Sequence, residues 1–486
     1  MSPRFDSIML LGYDRTGPVL GSGRQPMNRT SSRPEFLVEL TVSGRQPMYL
    51  QIQQALRQAI REHRLRPGTA VPSTRTLADD LGVSRGVVVE AYDQLIAECY
   101  LIATPGSATR VTDSIRAAAP KPVEPEPPAF ELDFRPGQPD LRCFPREAWQ
   151  RCSRQALAAL APGQLGYGDP RGASELRSAL AEYLARARGV AASPDRLVIC
   201  TGCAQGLSIA ARVLRKKGVK RIALEDPGHQ EIRRIIVEAG LATVSVPVDD
   251  DGLDVDVLER TRAQAVVVSP AHQNPMGSVL SPSRRQQLLA WAARRSGVIV
   301  EDDYDAEYRY DRMAIGALQG LAPARIIYVG SASKILAPGL RLGWLVIGGP
   351  LLEQAAEVKR LLDNGSPTIG QLAYAGFVQS GELDRHLRRT RRLYRSRRDA
   401  LLQALSRHCP DWRIRGAAAG LHLVATPPAR TDITAMVNRA AARSVRLYPL
   451  SGYTSRETSR RGLVFGYAKL TEVEIGEAVR RMSSAV

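Results

Sequence analysis

Three short stretches near the start of the chain repeat apolar residues every three or four positions. In "PMYLQIQQALRQAIREHRLRPG", Leu50, Ile52, Ala55, Leu56, Ala59 and Ile60 share one side of a helix, and Gly68 lies past its end. "VPSTRTLADDLG" predicts a second helix, capped by Ser73, with Leu77 and Leu81 inward and Gly82 as its stop. "VSRGVVVEAYDQLIAE" predicts a third, capped by Ser84, with Val88, Ala91 and Leu95 at helical spacing. "YLIATPGSATRVT" then reads as two short strands around Gly106.

Beyond residue 130 the pattern changes. "RLVICT", "RIALED", "AQAVVVSP", "GVIVEDD", "RIIYVGS" and "LGWLVIG" are apolar runs of strand length separated by helical stretches. That succession predicts an α/β unit around a mainly parallel sheet. Between the two patterns lies "RAAAPKPVEPEPPAF", whose five prolines make an extended linker. The expected organisation is a disordered arm over 1–35, a helical and winged unit over 36–113, a linker over 114–130 and a large unit over 131–486.

Composition adjusts this outline in three places. With 486 residues, 44% hydrophobic and 24% charged, the chain can bury more than one core. The net charge of +18 invites a polyanionic partner, yet residues 1–115 hold 13 Arg against 11 Asp plus Glu. Most of the excess therefore lies in the large unit. Six cysteines make no disulfide framework, and Cys200-Thr-Gly-Cys203 has no second pair to complete a zinc site. The start is too weakly apolar for a signal peptide, and no run approaches a membrane span, so a cytoplasmic location is expected.

Two helices joined by a glycine turn form the helix-turn-helix layout. The outer face of the third helix would enter the major groove of double-stranded DNA, with Arg85 pairing to guanine and Arg75 clamping phosphate. A three-helix protein-interaction module fits the same pattern. "VPSTRTLADDLGVSRGVVVEAYDQLIAECYLIATPGSATRV" resembles the winged helix of the GntR family. That resemblance implies DNA contacts by Arg75, Ser84, Arg85, Val87 and Gly106. Ala108 stands where the wing has a second glycine, and Cys99 where glycine often follows the third helix.

In the large unit, polar residues collect at strand ends, where open α/β sheets hold ligands. After "VICT" comes the small-residue turn Gly202-Cys203-Ala204 at a helix N-terminus, suited to phosphate. His272-Gln-Asn274, Asp302-Asp303-Tyr304 and Ser333-Lys334, with Arg341 nearby, follow other strands. Taken singly, the lysine fits a solvated strand end and the Asp-Asp pair fits a metal site; no metal is expected. An amine, an acid, a hydroxyl, an amide and a phosphate cradle together match pyridoxal phosphate. The ordered set is similar to a fold-type I aminotransferase. The resemblance implies that Lys334 bonds the cofactor aldehyde and Asp302 pairs with the pyridine nitrogen. Tyr304 and Asn274 would hold the ring 3-oxygen, and His229 would stack on the ring. Cys203, Ala204, Ser331, Ser333 and Arg341 would hold the phosphate, with Tyr167 reaching in from the other subunit of a homodimer.

A winged helix, a proline-bearing linker and an aminotransferase-like unit in one chain resemble the MocR subfamily of GntR regulators, as do "EDDYDAEYRY" and "SASKILAPGLRLGW". The resemblance implies a transcriptional regulator that senses pyridoxal phosphate or an amine adduct; a working aminotransferase is the alternative. Aminotransferases of this fold clamp the substrate carboxylate with an arginine in a stretch like Leu-Arg-x-x-Phe. Here the stretch is "RRGLVFGYAKL", and the clamp position is expected at Val464, with Arg460 and Arg461 displaced along the strand. Eight arginines between Arg385 and Arg398 fit a solvated helix face, a second DNA footprint or, since similar runs occur in the subfamily that the chain resembles, a role in the shared fold.

Overall fold

The computed structural model describes residues 46–113, 130–310, 315–455 and 461–483, which divide into two compact units, 46–113 and 130–483. The expected arm over 1–35, nearly all of the linker and Arg460 lie outside the described residues.

The first unit has helices Met48–Arg61, Thr74–Leu81 and Arg85–Ala97, then strands Leu101–Ile102 and Arg110–Val111. Ile52, Leu56, Leu77, Val88, Ala91 and Leu95 close one core. Leu50 and Ala55 are only half-buried. Ser73 Oγ accepts from Thr76 N at 3.1 Å, and Gly82 turns left-handed at φ 65°, so the second helix starts and stops on the expected residues. Ser84 occupies the cap position of the third helix, but its side chain makes no capping bond. That helix is held by packing, and the Ser84 hydroxyl stays on the surface. The wing pairs Leu101 with Val111 antiparallel. Cys99 carries φ 61°, a left-handed turn that glycine adopts more cheaply.

The second unit is built on an eight-stranded sheet. The strand order is Leu197–Cys200, Gly343–Val346, Ile326–Ser331, Val298–Asp303, Ala265–Val268, Arg221–Asp226, Ala242–Asp249, Gly252–Leu253. The middle strands are parallel, while Gly343–Val346 and Gly252–Leu253 run antiparallel to their neighbours. Helices cover both faces, which is why the strands read as unbroken apolar runs. Ala265 and Val267 join the cluster with Leu207 and Leu214, while Val266 and Val268 join Leu288 and Trp291 on the other face.

A second sheet of four antiparallel strands, Arg413–Arg415, His422–Thr426, Leu463–Gly466 and Tyr448–Pro449, was not expected. It brings His422 and Val464 into the same region.

The arginine run lies on one helix, Glu382–His408. Five of its eight arginines are tied into the fold. Arg397 bonds Asp140 at 2.9 Å and the carbonyl of Ala468. Arg398 donates to Ala417 O, Arg391 to Glu307 O, Arg389 to Cys143 O and Arg385 to Ser380 O. Only Arg388, Arg392 and Arg395 are exposed with no protein partner among the described residues. Most of the run therefore serves to anchor loops, in keeping with a role in the fold.

Candidate functional site

The chemistry of the large unit collects at the carboxyl ends of its parallel strands. Lys334 follows the strand Ile326–Ser331, and Asp302 and Tyr304 end or follow the strand Val298–Asp303. The strand pairing sets Val329 beside Asp302 and Gly330 beside Asp303, so lysine and acid come from adjacent strands. Lys334 is flanked by a residue far away in sequence. A Cβ on Gly137 would lie 3.4 Å from Lys334 Nζ, so the bare glycine keeps the amine reachable. Burial lowers the Lys334 pKa, opposed by Asp305, Cys203 and Asp302. A lowered ammonium pKa favours the free amine that attacks an aldehyde.

The Cys203 thiol donates to Asp302 Oδ1 at 3.2 Å. Burial, then Asp302, holds that thiol well above its ordinary value, so it keeps its proton. Asp302 is pushed up to about 6, chiefly by burial, with Asp303 and Asp305 adding to the rise and Cys203 and Lys334 opposing it. Such a carboxyl ionises readily beside a cationic ring nitrogen.

The turn Gly202-Cys203-Ala204 meets the Arg341 guanidinium, an arrangement able to cradle a phosphate. The helix Cys203–Lys216 begins at Cys203, leaving the first backbone N–H groups free. Gly202 has φ 111°, and a Cβ there would come 3.4–3.6 Å from the Arg341 guanidinium. Arg341 itself sits at φ 51°, a strained turn that aims it at the cradle. Ser331 is buried at the strand end, paired with Gly343, and Ser333 is half-buried beside Lys334.

Tyr304 Oη lies 3.0 Å from His272 Nδ1. Burial, then Asp305, keeps the Tyr304 hydroxyl protonated far above its ordinary pKa. Asn274 Oδ1 is buried without a partner. His229 lines the same cavity as Asn274 and Glu225, and its Nδ1 accepts the Glu231 N–H, capping the next helix. Burial, then Lys334, lowers the His229 pKa, so the ring is the neutral form suited to stacking. Tyr167 is 90% exposed and lines a separate cleft with Gln164, Arg177 and Gln371. Within one chain it is not among the residues around Lys334.

These residues fit pyridoxal phosphate on two observations. A glycine turn faces a guanidinium, and an acid, a hydroxyl and an amine converge. Sequence reasoning missed Gly137, Glu225, Asp305 and His422, and gave His272 no role. The run His272-Gln-Asn274 held one signal, since a histidine two residues before Asn274 shares its strand end.

At the expected clamp position the run Leu463-Val464-Phe465-Gly466-Tyr467 has valine in the place of the arginine and tyrosine in the place of the phenylalanine. Val464 is buried with Val248, Met276, Val424 and Leu450, so this position offers no cation. Arg461 is exposed.

In the winged unit, Arg75 and Arg85 are both exposed, and Arg85 Nε reaches Thr74 Oγ1 at 3.4 Å. Val87 is half-buried against the helical core, and Gly106 has φ 77° at the wing tip. Glu90 and Asp93 are exposed on the same helix. No helix among the described residues is long and apolar enough to cross a membrane.

Comparison with known proteins bears on both units. Residues 48–111 match the family described as bacterial regulatory proteins, gntR family, and residues 136–481 match aminotransferase class I and II. The HTH-type pyridoxine biosynthesis transcriptional regulator PdxR of Corynebacterium glutamicum is 33% identical, over 90% of this chain and 95% of that protein. The probable rhizopine catabolism regulatory protein MocR of Rhizobium meliloti is 32% identical, over 90% and 94%. Among solved structures, the multiple substrate aminotransferase from Thermococcus profundus matches with TM-score 0.68 and 28% identity, over 74% of this chain and 92% of its own. An archaeal alanine:glyoxylate aminotransferase matches with TM-score 0.68 and 25% identity, over 73% and 90%. The chain belongs to the MocR-type regulators, in which a gntR-family winged helix is fused to an aminotransferase class I and II domain.

Proposed function

We propose that this protein is a pyridoxal-phosphate-dependent transcriptional regulator that binds double-stranded DNA through its winged unit. The observation that carries this reading is the joining of that unit to a cofactor site complete in cradle, acid and amine. Lys334 binds the cofactor covalently, Asp302 pairs with the ring nitrogen, and Tyr304 and Asn274 hold the ring oxygen. The Gly202–Ala204 turn, Ser331, Ser333 and Arg341 hold the phosphate. When bound, the cofactor supplies an electrophilic carbon that captures amines. The large unit senses the cofactor itself or an amine, and the winged unit reads the operator with Arg85, Arg75 and the wing at Gly106. Tyr167, exposed in one chain, completes the phosphate site of a second copy, so the working form is a cytoplasmic homodimer.

The transaminase alternative lacks a carboxylate clamp. A bidentate guanidinium is the natural partner of a carboxylate, and hydrocarbon fills the place where it would stand. Ordinary α-amino acids are therefore poor transamination substrates. The test uses the full chain. DNA selected from a random pool should bind with an affinity that changes when pyridoxal phosphate is added or removed at fixed salt. Multiple-turnover transamination of a common amino acid, with DNA affinity indifferent to the cofactor, would overturn the sensor reading.

A further inference from the structure

Three buried side chains beside the cofactor site, His272, Asp305 and His422, hold no part of the cofactor in the reading above. His272 Nδ1 lies 3.1 Å from both carboxyl oxygens of Asp305, and both side chains are 1% exposed. The His422 ring packs on His272 with centroids 4.9 Å apart. Their ligating atoms fall within 4.8 Å of one another, a spacing that invites a metal. The space is already taken. Gly420, at φ 77°, presses its backbone on the cluster, so that a Cβ there would collide with His272 and lie 2.6 Å from Asp305 Oδ2. His422 Nε2 is committed to the carbonyl of Pro275 at 3.1 Å.

The hydrogens can be assigned from the partners. Asp305 carboxylate oxygens only accept, so His272 carries its hydrogen on Nδ1. His422 donates from Nε2 to a carbonyl, and burial, then His272, pushes its pKa down to about 3, so it is neutral. Asp305 and Tyr304 Oη share that one hydrogen, so toward His272 the tyrosine oxygen only accepts. Asn274 Oδ1 has no partner, so it does not take the Tyr304 hydrogen either. The Tyr304 hydrogen is left to point into the cavity. The ring 3-oxygen of the cofactor is the acceptor that the proposed function puts there.

We infer that His272 and Asp305 are positioning residues that aim the Tyr304 hydroxyl at the cofactor, and through it set the proton affinity of the chromophore formed at Lys334. This rests on the cofactor reading above. A hydrogen bond donated to the ring oxygen favours its anionic form, and so lowers the pKa of the chromophore. The other titratable groups around Tyr304, His272 and Lys334 are Asp302, Cys203, Glu225, His229 and His422. None of them hydrogen-bonds Tyr304 Oη in the way His272 does.

The experiment is a pH titration of visible absorbance on the full-length protein loaded with pyridoxal phosphate. His272→Gln should raise the apparent pKa of the chromophore by about one unit, a tenfold gain in proton affinity. Tyr304→Phe should raise it at least as much. Adding His272→Gln to Tyr304→Phe should then change it no further, because residues acting through one group do not add. Should His272→Gln hold no cofactor, Asp305→Asn carries the same expectation. An unmoved titration in the single variant would overturn the inference, and so would an equal further shift when His272→Gln is added to Tyr304→Phe. A parent protein that takes up no chromophore at all would overturn the cofactor reading instead.

Discussion

Glu225 ends the strand Arg221–Asp226 inside the cavity shared with His229 and Asn274. Its Oε2 accepts from Ser269 N at 3.2 Å and from Gln273 Nε2 at 3.4 Å. These bonds do not offset burial, which raises its pKa from 4.5 to about 8, with Asp302 adding to the rise. The folded protein thus holds a proton on Glu225 at pH 7 that the unfolded chain has released. For such a group stability falls as pH rises, beginning near pH 4.5 and levelling off above pH 8. Each pH unit in that window costs about 1.4 kcal/mol, so the penalty is about 3 kcal/mol at pH 7 and about 5 kcal/mol at pH 9. Glu225→Gln keeps the shape and removes the titration. The variant should match the parent near pH 4 and exceed its stability by those amounts at pH 7 and pH 9. All four tryptophans, Trp149, Trp291, Trp344 and Trp412, lie in the large unit, so urea unfolding followed by tryptophan fluorescence reads that unit alone. A stability difference that stays constant from pH 5 to pH 9 would refute the reasoning.

Other perturbations test separate parts of the account. Cys99→Gly relieves a left-handed residue and should stabilise the winged unit by up to about 1 kcal/mol, read by thermal melting; a loss of stability would contradict the turn. Arg85→Ala should weaken binding to selected DNA by about 1–3 kcal/mol and relax preference at one base, measured by fluorescence anisotropy at fixed salt. Arg397→Leu removes the bond to Asp140, which keeps Arg142 as a second partner, and should cost the large unit about 2 kcal/mol in urea unfolding. It should leave the salt dependence of DNA binding unchanged, since Arg397 is buried.

The parts of the fold visible in the sequence were those with local causes. Helix stops at Gly82 and the cap at Ser73 are set within a few residues, and both formed as expected. Strands such as Ala265–Val268 are buried on both faces, so the run itself announces them. The four-stranded sheet was hidden because its strands are two to five residues long and pair across distant segments. Gly137 approaches Lys334 from almost two hundred residues away, and no pattern along the chain encodes that approach. His422 and Asp305 were invisible as partners of His272 for the same reason. The arginine run left its role open because a guanidinium reads as surface charge. Its five donors also suit buried carbonyls, and Arg397 and Arg398 use them that way.

The central claim is that Lys334 anchors pyridoxal phosphate in a protein that regulates transcription. Reducing the loaded protein with borohydride and mapping the modified peptide tests it most directly. The account predicts one pyridoxyl phosphate per chain on the peptide carrying Lys334, and none in Lys334→Ala. A reduced adduct on another lysine, or an unchanged adduct in Lys334→Ala, would contradict it.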